Sequence, residues 1–159
     1  MRAFPFLRTF CFLLLAASVL LGLPAHAQAN TRNVVTTERT RAELLAHAPE
    51  GLEPGRPMWV GLQLAHQPEW HSYWKNSGDS GLPTRLEWTL PPGVVAGEIA
   101  WPLPRKYPIG TLINYGYADT VLLPVPLTIT ADFKPPLFKD ALEVQLKAHW
   151  LVCRKECIP

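Results

Sequence analysis

Cysteine is scarce in this chain, with three in 159 residues at positions 11, 153 and 157. A chain of this length can bury one ordinary core and form one domain without cross-links. Excess charge is also missing. Residues 1–27 carry two of the fifteen basic residues and no acidic ones, so the remainder is balanced at thirteen of each sign. That balance gives no reason to expect nucleic acid or an anionic membrane surface as partner. After residue 23 there is no long hydrophobic run. The most apolar later stretch, "TVLLPVPLTI", is short and interrupted by Pro124 and Pro126, so no membrane span is expected in residues 28–159. Internal repeats and low-complexity tracts are absent as well.

What is present begins with an export signal. Arg2 and Arg8 give a positive start, Phe10 to Leu23 is apolar apart from Ser18, and Ala25-His26-Ala27 supplies small residues around a cleavage point. This pattern predicts a cleavable secretory signal over 1–27, which removes Cys11, and one mature domain over 28–159. Export to an oxidising compartment such as the periplasm lets a disulfide form and persist.

The mature region is divided into short segments by "EPGRP", "SGDSGLP", "PPGVVAG", "WPLPRKYPIG" and "FKPP". Between these breakers the patterning has a period of two. "MWVGLQLAH" places Met58, Val60, Leu62 and Leu64 on one face, and "TRLEWTL" sets Leu86 and Trp88 against Arg85 and Glu87. Several short alternating strands predict an all-β, antiparallel sandwich or barrel. "KDALEVQLKAHWLV" has helix-forming residues, yet Leu142, Val144, Leu146, Ala148, Trp150 and Val152 alternate without a miss. Burial outweighs propensity, so a strand is expected here. Cys153 then faces away from the main core, on the side of Lys147 and His149.

Several motifs admit competing readings. Gly78-Asp79-Ser80-Gly81 imitates the nucleophile region of trypsin-like proteases, and Leu64-Ala65-His66 imitates their histidine segment. Those enzymes need two barrels and a histidine far upstream of the serine, so the string reads as a turn between strands. Six tryptophans could form a sugar-binding platform. Trp88 and Trp150 instead fit the buried phase of their strands, whereas Trp70 and Trp74 stay unassigned. His149, Cys153 and Cys157 would line one face of a helix as soft metal ligands, but the strand removes that alignment and no fourth ligand is near. His71 lacks a matching cluster and reads as a loop or surface histidine.

Cys153 and Cys157 carry the remaining chemistry. Four extended steps would separate them by roughly 13 Å, whereas a disulfide needs Cα atoms about 4.4–6.8 Å apart. If they bond, the strand must stop near Cys153 and Arg154-Lys155-Glu156 must turn back. So short a loop contributes only about 2 kcal/mol on the chain-entropy model, which is little for a purely structural bridge. Arg154 and Lys155 favour a thiolate, partly opposed by Glu156. These grounds favour redox use. A non-enzymatic exported sandwich that binds a protein or a metal such as copper or zinc, its disulfide purely structural, remains the alternative. A glycan-binding module remains a third.

The stretch "PEWHSYWKNSGDSGLPTRLEWTLPPGVVAGEIAWPLPRKYPIGTLINYGYADTVLLPVPL" and the final "WLVCRKECIP" resemble the N-terminal periplasmic domain of the DsbD/ScsB-type transmembrane protein-disulfide reductases. The likeness runs from about Arg41 to Pro159. It lies in the ordered set Trp-x-x-Tyr-Trp, Gly-Asp-x-Gly-x-Pro, Asn-Tyr-Gly-Tyr and Cys-x-x-x-Cys-x-Pro. The resemblance implies an immunoglobulin-like β-sandwich with a redox-active cysteine pair and no organic cofactor or metal. Its implied partners are the transmembrane and thioredoxin-like domains of a reductase and thioredoxin-like or other oxidised periplasmic proteins. It further implies Cys157 as the attacking thiol, Cys153 as the resolving one, and Tyr115-Gly116 as the cap over the pair. Members of that family continue past the second cysteine into a closing strand, so a sandwich short of its last strand is expected.

Overall fold

The computed structural model describes residues 33–135 and 141–159. The signal expected over 1–27 lies outside the described residues. Among the described residues there is no helix, and hence none long and apolar enough to cross a membrane.

Chain order begins with β1 (Val34–Thr36), β2 (Thr40–His47) and β3 (Met58–His66), followed by β4 (His71–Gly78) and β5 (Arg85–Thr89). Next come β6 (Val94–Ala96), β7 (Arg105–Ile109), β8 (Leu112–Ala118) and β9 (Thr120–Ile129). The chain closes with β10 (Gln145–His149), β11 (Val152–Cys153) and β12 (Cys157–Ile158). All pairings are antiparallel. One layer is the five-stranded sheet β1-β2-β3-β9-β6. Facing it are the pair β10-β5 and the five-stranded sheet β12-β11-β4-β8-β7. The antiparallel sandwich expected from the sequence is therefore the observed architecture.

Its centre is the β3–β9 ladder, where the period-two reading of β3 holds. Met58, Val60, Leu62 and Leu64 are buried, and Val121, Leu123, Val125, Leu127 and Ile129 of β9 meet the same interior. Tyr117 of β8 is buried there too, in a cluster with Leu62, Leu64 and Leu123 against which Trp74, Leu86, Leu146, Ala148 and Trp150 pack. Pro124 and Pro126 are tolerated in β9 because β6 pairs only with Leu127–Ile129. Beyond it, the Pro126 and Pro124 carbonyls accept from the amides of Gly97 and Ala100, both at 2.8 Å. "WPLPRKYPIG", read as a breaker, contains a strand. Pro108 sits in β7 at the sheet edge, where a missing N–H costs little.

The segment before the cysteines departs from expectation in one respect. Its inward phase is as predicted, from Leu142 and Val144 to Val152. It forms two strands, however. β10 pairs with β5, the chain breaks at Trp150-Leu151, and β11 pairs with β4. This transfer between sheets separates His149, which lies 3.5 Å from Glu87 on the β5 side, from Cys153 on the β4 side.

Candidate functional site: a disulfide hairpin on β4

The site is built by a hairpin of minimal length. β11 ends at Cys153, Arg154–Glu156 turn, and β12 begins at Cys157, so the two cysteines are directly opposed across the ladder. The Arg154 amide donates to the Glu156 carbonyl at 3.0 Å. Cys153 and Cys157 thus take the closely spaced, non-hydrogen-bonded position of an antiparallel pair. Their Cα atoms are 4.1 Å apart and their sulfurs are bonded. The turn is tied to the sheet from outside. Arg154 Nη1 lies 3.1 Å from Glu69 Oε2, and its guanidinium sits 5.4 Å from the Trp70 ring centroid. The turn's first cation is therefore directed toward Glu69 and Trp70.

The two cysteines differ sharply in exposure. Cys153 is 2% exposed, whereas Cys157 is an exposed residue. The cause is position in the sheet. β11 is flanked by β4 and β12, so Cys153 has a neighbour on each side, whereas β12 is the outermost strand.

Opposed residues share a face of a sheet, and successive residues alternate. The register Cys157–Cys153–His71–Ala118 therefore puts these four on one face, with Tyr73 and Gly116 in the next row. Tyr73 is 1% exposed, and its Oη lies 3.8 Å from Cys157 Sγ. His71 is 5% exposed and meets Tyr73 edge-on, with ring centroids 5.3 Å apart. Tyr107 of β7 stacks on His71 at 4.8 Å with an interplanar angle of 8°. On this face β8 presents the small residues Gly116 and Ala118 beside β4, and Asn114 opposite Tyr107. A Cβ at Gly116 would fall 2.0 Å from the Ser72 carbonyl oxygen, so no side chain fits there.

The Gly-Asp-Ser-Gly loop covers the other side of Tyr73. Gly81 has φ +90°, and a Cβ on it would lie 2.3 Å from the Tyr73 ring. Asn114, fully buried, accepts from the Ser80 amide at 3.0 Å and donates to Ser80 Oγ at 2.9 Å. Asp79 Oδ2 accepts from the Ile113 amide at 2.7 Å, and Ser77 Oγ donates to the Gly81 carbonyl at 3.1 Å. These bonds make the loop a fixed lid support. Ser80 binds Asn114, while His66 Nδ1 lies 3.0 Å from the Asp119 carbonyl, so the protease imitation has no structural counterpart.

Burial sets the local titration behaviour. Desolvation holds the His71 imidazole below its ordinary range and pushes the Tyr73 hydroxyl above its own. His66 is also lowered, first by burial and further by the neighbouring His71, with the Asp119 carbonyl and carboxylate opposing.

The sequence-predicted residues fare unequally. Cys153 and Cys157 are brought together. Gly116 lies on their face of the sheet, but Tyr115 lies on the opposite face, its ring edge-on to Trp74 at 6.5 Å. The structure does not bring Tyr115 to the pair; the aromatic that touches it is Tyr73. His71, read as a loop or surface residue, is a buried strand residue opposite Cys153. The signal for both was available: reading 71–74 as a strand puts His71 and Tyr73 on one face and Ser72 and Trp74 on the other. Among the described residues, no group of three His, Cys, Asp or Glu side chains is placed to hold a metal ion.

An antiparallel sandwich with a disulfide hairpin at its edge, one sulfur-bearing residue exposed and one buried, defines a class of thiol–disulfide domain. The profile of the N-terminal domain of thiol:disulfide interchange protein DsbD matches residues 42–159, and the chain belongs to that family. Among solved structures, it is similar to the N-terminal periplasmic domain of ScsB from Proteus mirabilis, with a TM-score of 0.55 and 19% identity. The match covers 79% of this chain and 46% of that one, so this chain spans less than half the length of that relative. No curated protein matches it.

Proposed function

We propose that residues 28–159, after export and removal of residues 1–27, act in the periplasm as a thiol–disulfide exchange module. It would receive electrons from the thioredoxin-like and transmembrane domains of a reductase and deliver them to oxidised periplasmic proteins. Membership of the interchange family supports the general role, and the ScsB relative's description as periplasmic supports the compartment. The observation that carries the reading is the asymmetry of the pair. Exchange proceeds by thiolate attack on one accessible sulfur through a mixed disulfide. With Cys157 exposed and Cys153 buried, that sulfur is Cys157, which makes the mixed disulfide while Cys153 resolves it. The shielding role goes to Tyr73, supported by Gly116 and the 79–81 loop, rather than to Tyr115.

The test uses the mature chain. A Cys153→Ser variant should trap a mixed disulfide with a thioredoxin-like protein through Cys157, and Cys157→Ser should trap little. A reduction potential below about −300 mV, as for a structural bridge, together with exchange no faster than with glutathione, would overturn the reading.

A further inference from the structure

His71 stands directly opposite Cys153, on the side away from Cys157. Directly opposed residues hold their Cβ atoms about 4.5–5.5 Å apart, so His71 and Cys153, both buried, are cross-strand neighbours on one face. The ring is held there by Tyr107, stacked at 4.8 Å, and by Tyr73, edge-on at 5.3 Å. Its Nε2 is buried and has no hydrogen-bond partner among the described residues. An unpaired buried nitrogen costs free energy, and the disulfide form offers it no proton. The reduced form does, because Cys153 then carries an S–H.

We infer that His71 is the proton acceptor for Cys153 in the resolving step. This rests on the exchange role proposed above. The Cys157 thiolate attacks a disulfide of the oxidised partner, whose other sulfur leaves with the bonding pair. The proton on Cys153 Sγ passes to His71 Nε2, and the resulting thiolate attacks Cys157 Sγ. The 153–157 bond forms and the Cys157–partner bond breaks. The second partner sulfur leaves with its electron pair and is protonated from solvent, to which His71 returns its own proton. Two electrons have moved from the cysteine pair to the partner's disulfide. A buried thiol otherwise resists ionisation, so a base at this position removes the obstacle that burial of Cys153 creates.

The groups facing His71 suit this role. β11 contributes Cys153, β8 the uncharged Ala118, β7 Tyr107, and its own strand Tyr73, while His66 on β3 lies near enough to be lowered by His71. No carboxylate is among them to lock the imidazole in its charged form. Burial lowers its proton affinity, which keeps it neutral and able to accept a proton at neutral pH.

The reaction of the reduced chain with 5,5′-dithiobis(2-nitrobenzoate) tests this without the physiological partner. The first thionitrobenzoate released reports attack by Cys157, and the second reports resolution by Cys153. In the unsubstituted protein the second phase should persist well below the ordinary thiol range of about pH 8.5. In His71→Phe, which keeps a ring for Tyr107 to stack on, the second phase should slow by about tenfold or more at neutral pH and follow an ordinary thiol titration. The first phase should stay within about twofold, since it does not use the base. His71→Gln, which keeps polarity but supplies no base, should behave like His71→Phe.

A second phase in the unsubstituted protein that already follows an ordinary thiol titration overturns the inference, whatever the variants do. So does a folded variant whose second phase is unchanged, or is slowed equally at every pH. Failure to exchange with a thioredoxin-like protein would instead overturn the proposed function, leaving the two-phase result to be read separately.

Discussion

The Tyr73 hydroxyl lies 3.8 Å from Cys157 Sγ, so the exposed cysteine of the pair rests against the edge of a side chain that is itself almost wholly buried. The exposed residue is thus bounded on its inner side by a fixed polar atom.

Tyr73→Phe removes that hydroxyl and keeps the ring. A single hydrogen bond of this kind contributes about 1 kcal/mol, so attack by Cys157 on a small disulfide should slow by about fivefold, with stability little changed. Tyr73→Ala removes the ring as well and should cost about 3–5 kcal/mol in urea unfolding. Equal rates in the unsubstituted and Phe proteins would show that the hydroxyl does not act on the sulfur.

Gly81→Ala should act on the same contact from the other side. The added methyl meets the Tyr73 ring at 2.3 Å in a backbone conformation with φ +90°, so both clash and backbone oppose it. We expect a loss of about 1–3 kcal/mol in urea unfolding and faster reduction of the disulfide by small thiols, as Tyr73 is displaced. A fully stable variant would mean the 79–81 loop yields freely, contrary to its bonds with Asn114 and Ile113.

Stability should fall at both ends of the pH scale. His66 and His71 have folded-state affinities below the ordinary histidine value of 6.5, so the unfolded chain binds protons first as pH drops. The stabilisation is complete above about pH 6.5 and declines below it, until the lowered folded values are reached. His71→Phe should flatten part of that slope in urea midpoints measured across the acid range. At the alkaline end Tyr117 is pushed up to about 12 by burial, its hydroxyl donating to the Pro102 carbonyl at 2.8 Å. Its contribution is complete below about pH 10 and is lost as pH rises toward the folded value.

Reduction of the pair should leave the sandwich folded. The bridge closes a loop of only five residues, worth about 2 kcal/mol on the chain-entropy model. The shift in urea midpoint on reduction should correspond to no more than that. Unfolding on reduction would mark the bridge as a structural staple.

Much of this was legible in the residues because burial imposes a period of two. β3, β5 and the inward phase of 142–152 follow from alternation alone, and the tight turn at 154–156 follows from the reach of an extended chain. The transfer from β10 to β11 at Trp150-Leu151 was not legible, since alternation fixes which face a residue takes but not which neighbouring strand it pairs with. Tyr115 was misplaced for a related reason. A motif match identifies a residue, whereas only register decides its face, and the register assigns Gly116 to the disulfide side. Tyr73 was not singled out and His71 was read as a loop or surface histidine, because two bulky polar rings in "WHSYW" look like a loop until the small residues of β8 opposite them are known.

The hairpin's attachment also determines how it should open. Among the described residues β12 pairs only with β11, through two residue pairs, and β11 joins β4 through a single pair, whereas β3 and β9 are paired over eight. Amide exchange at 152–158 should therefore report a local opening of low free energy, while the β3–β9 amides exchange only on global unfolding. Breaking the sulfur bridge removes the main tie holding that flap, so the two redox states should differ most in how often the hairpin detaches, with the sandwich beneath it unchanged.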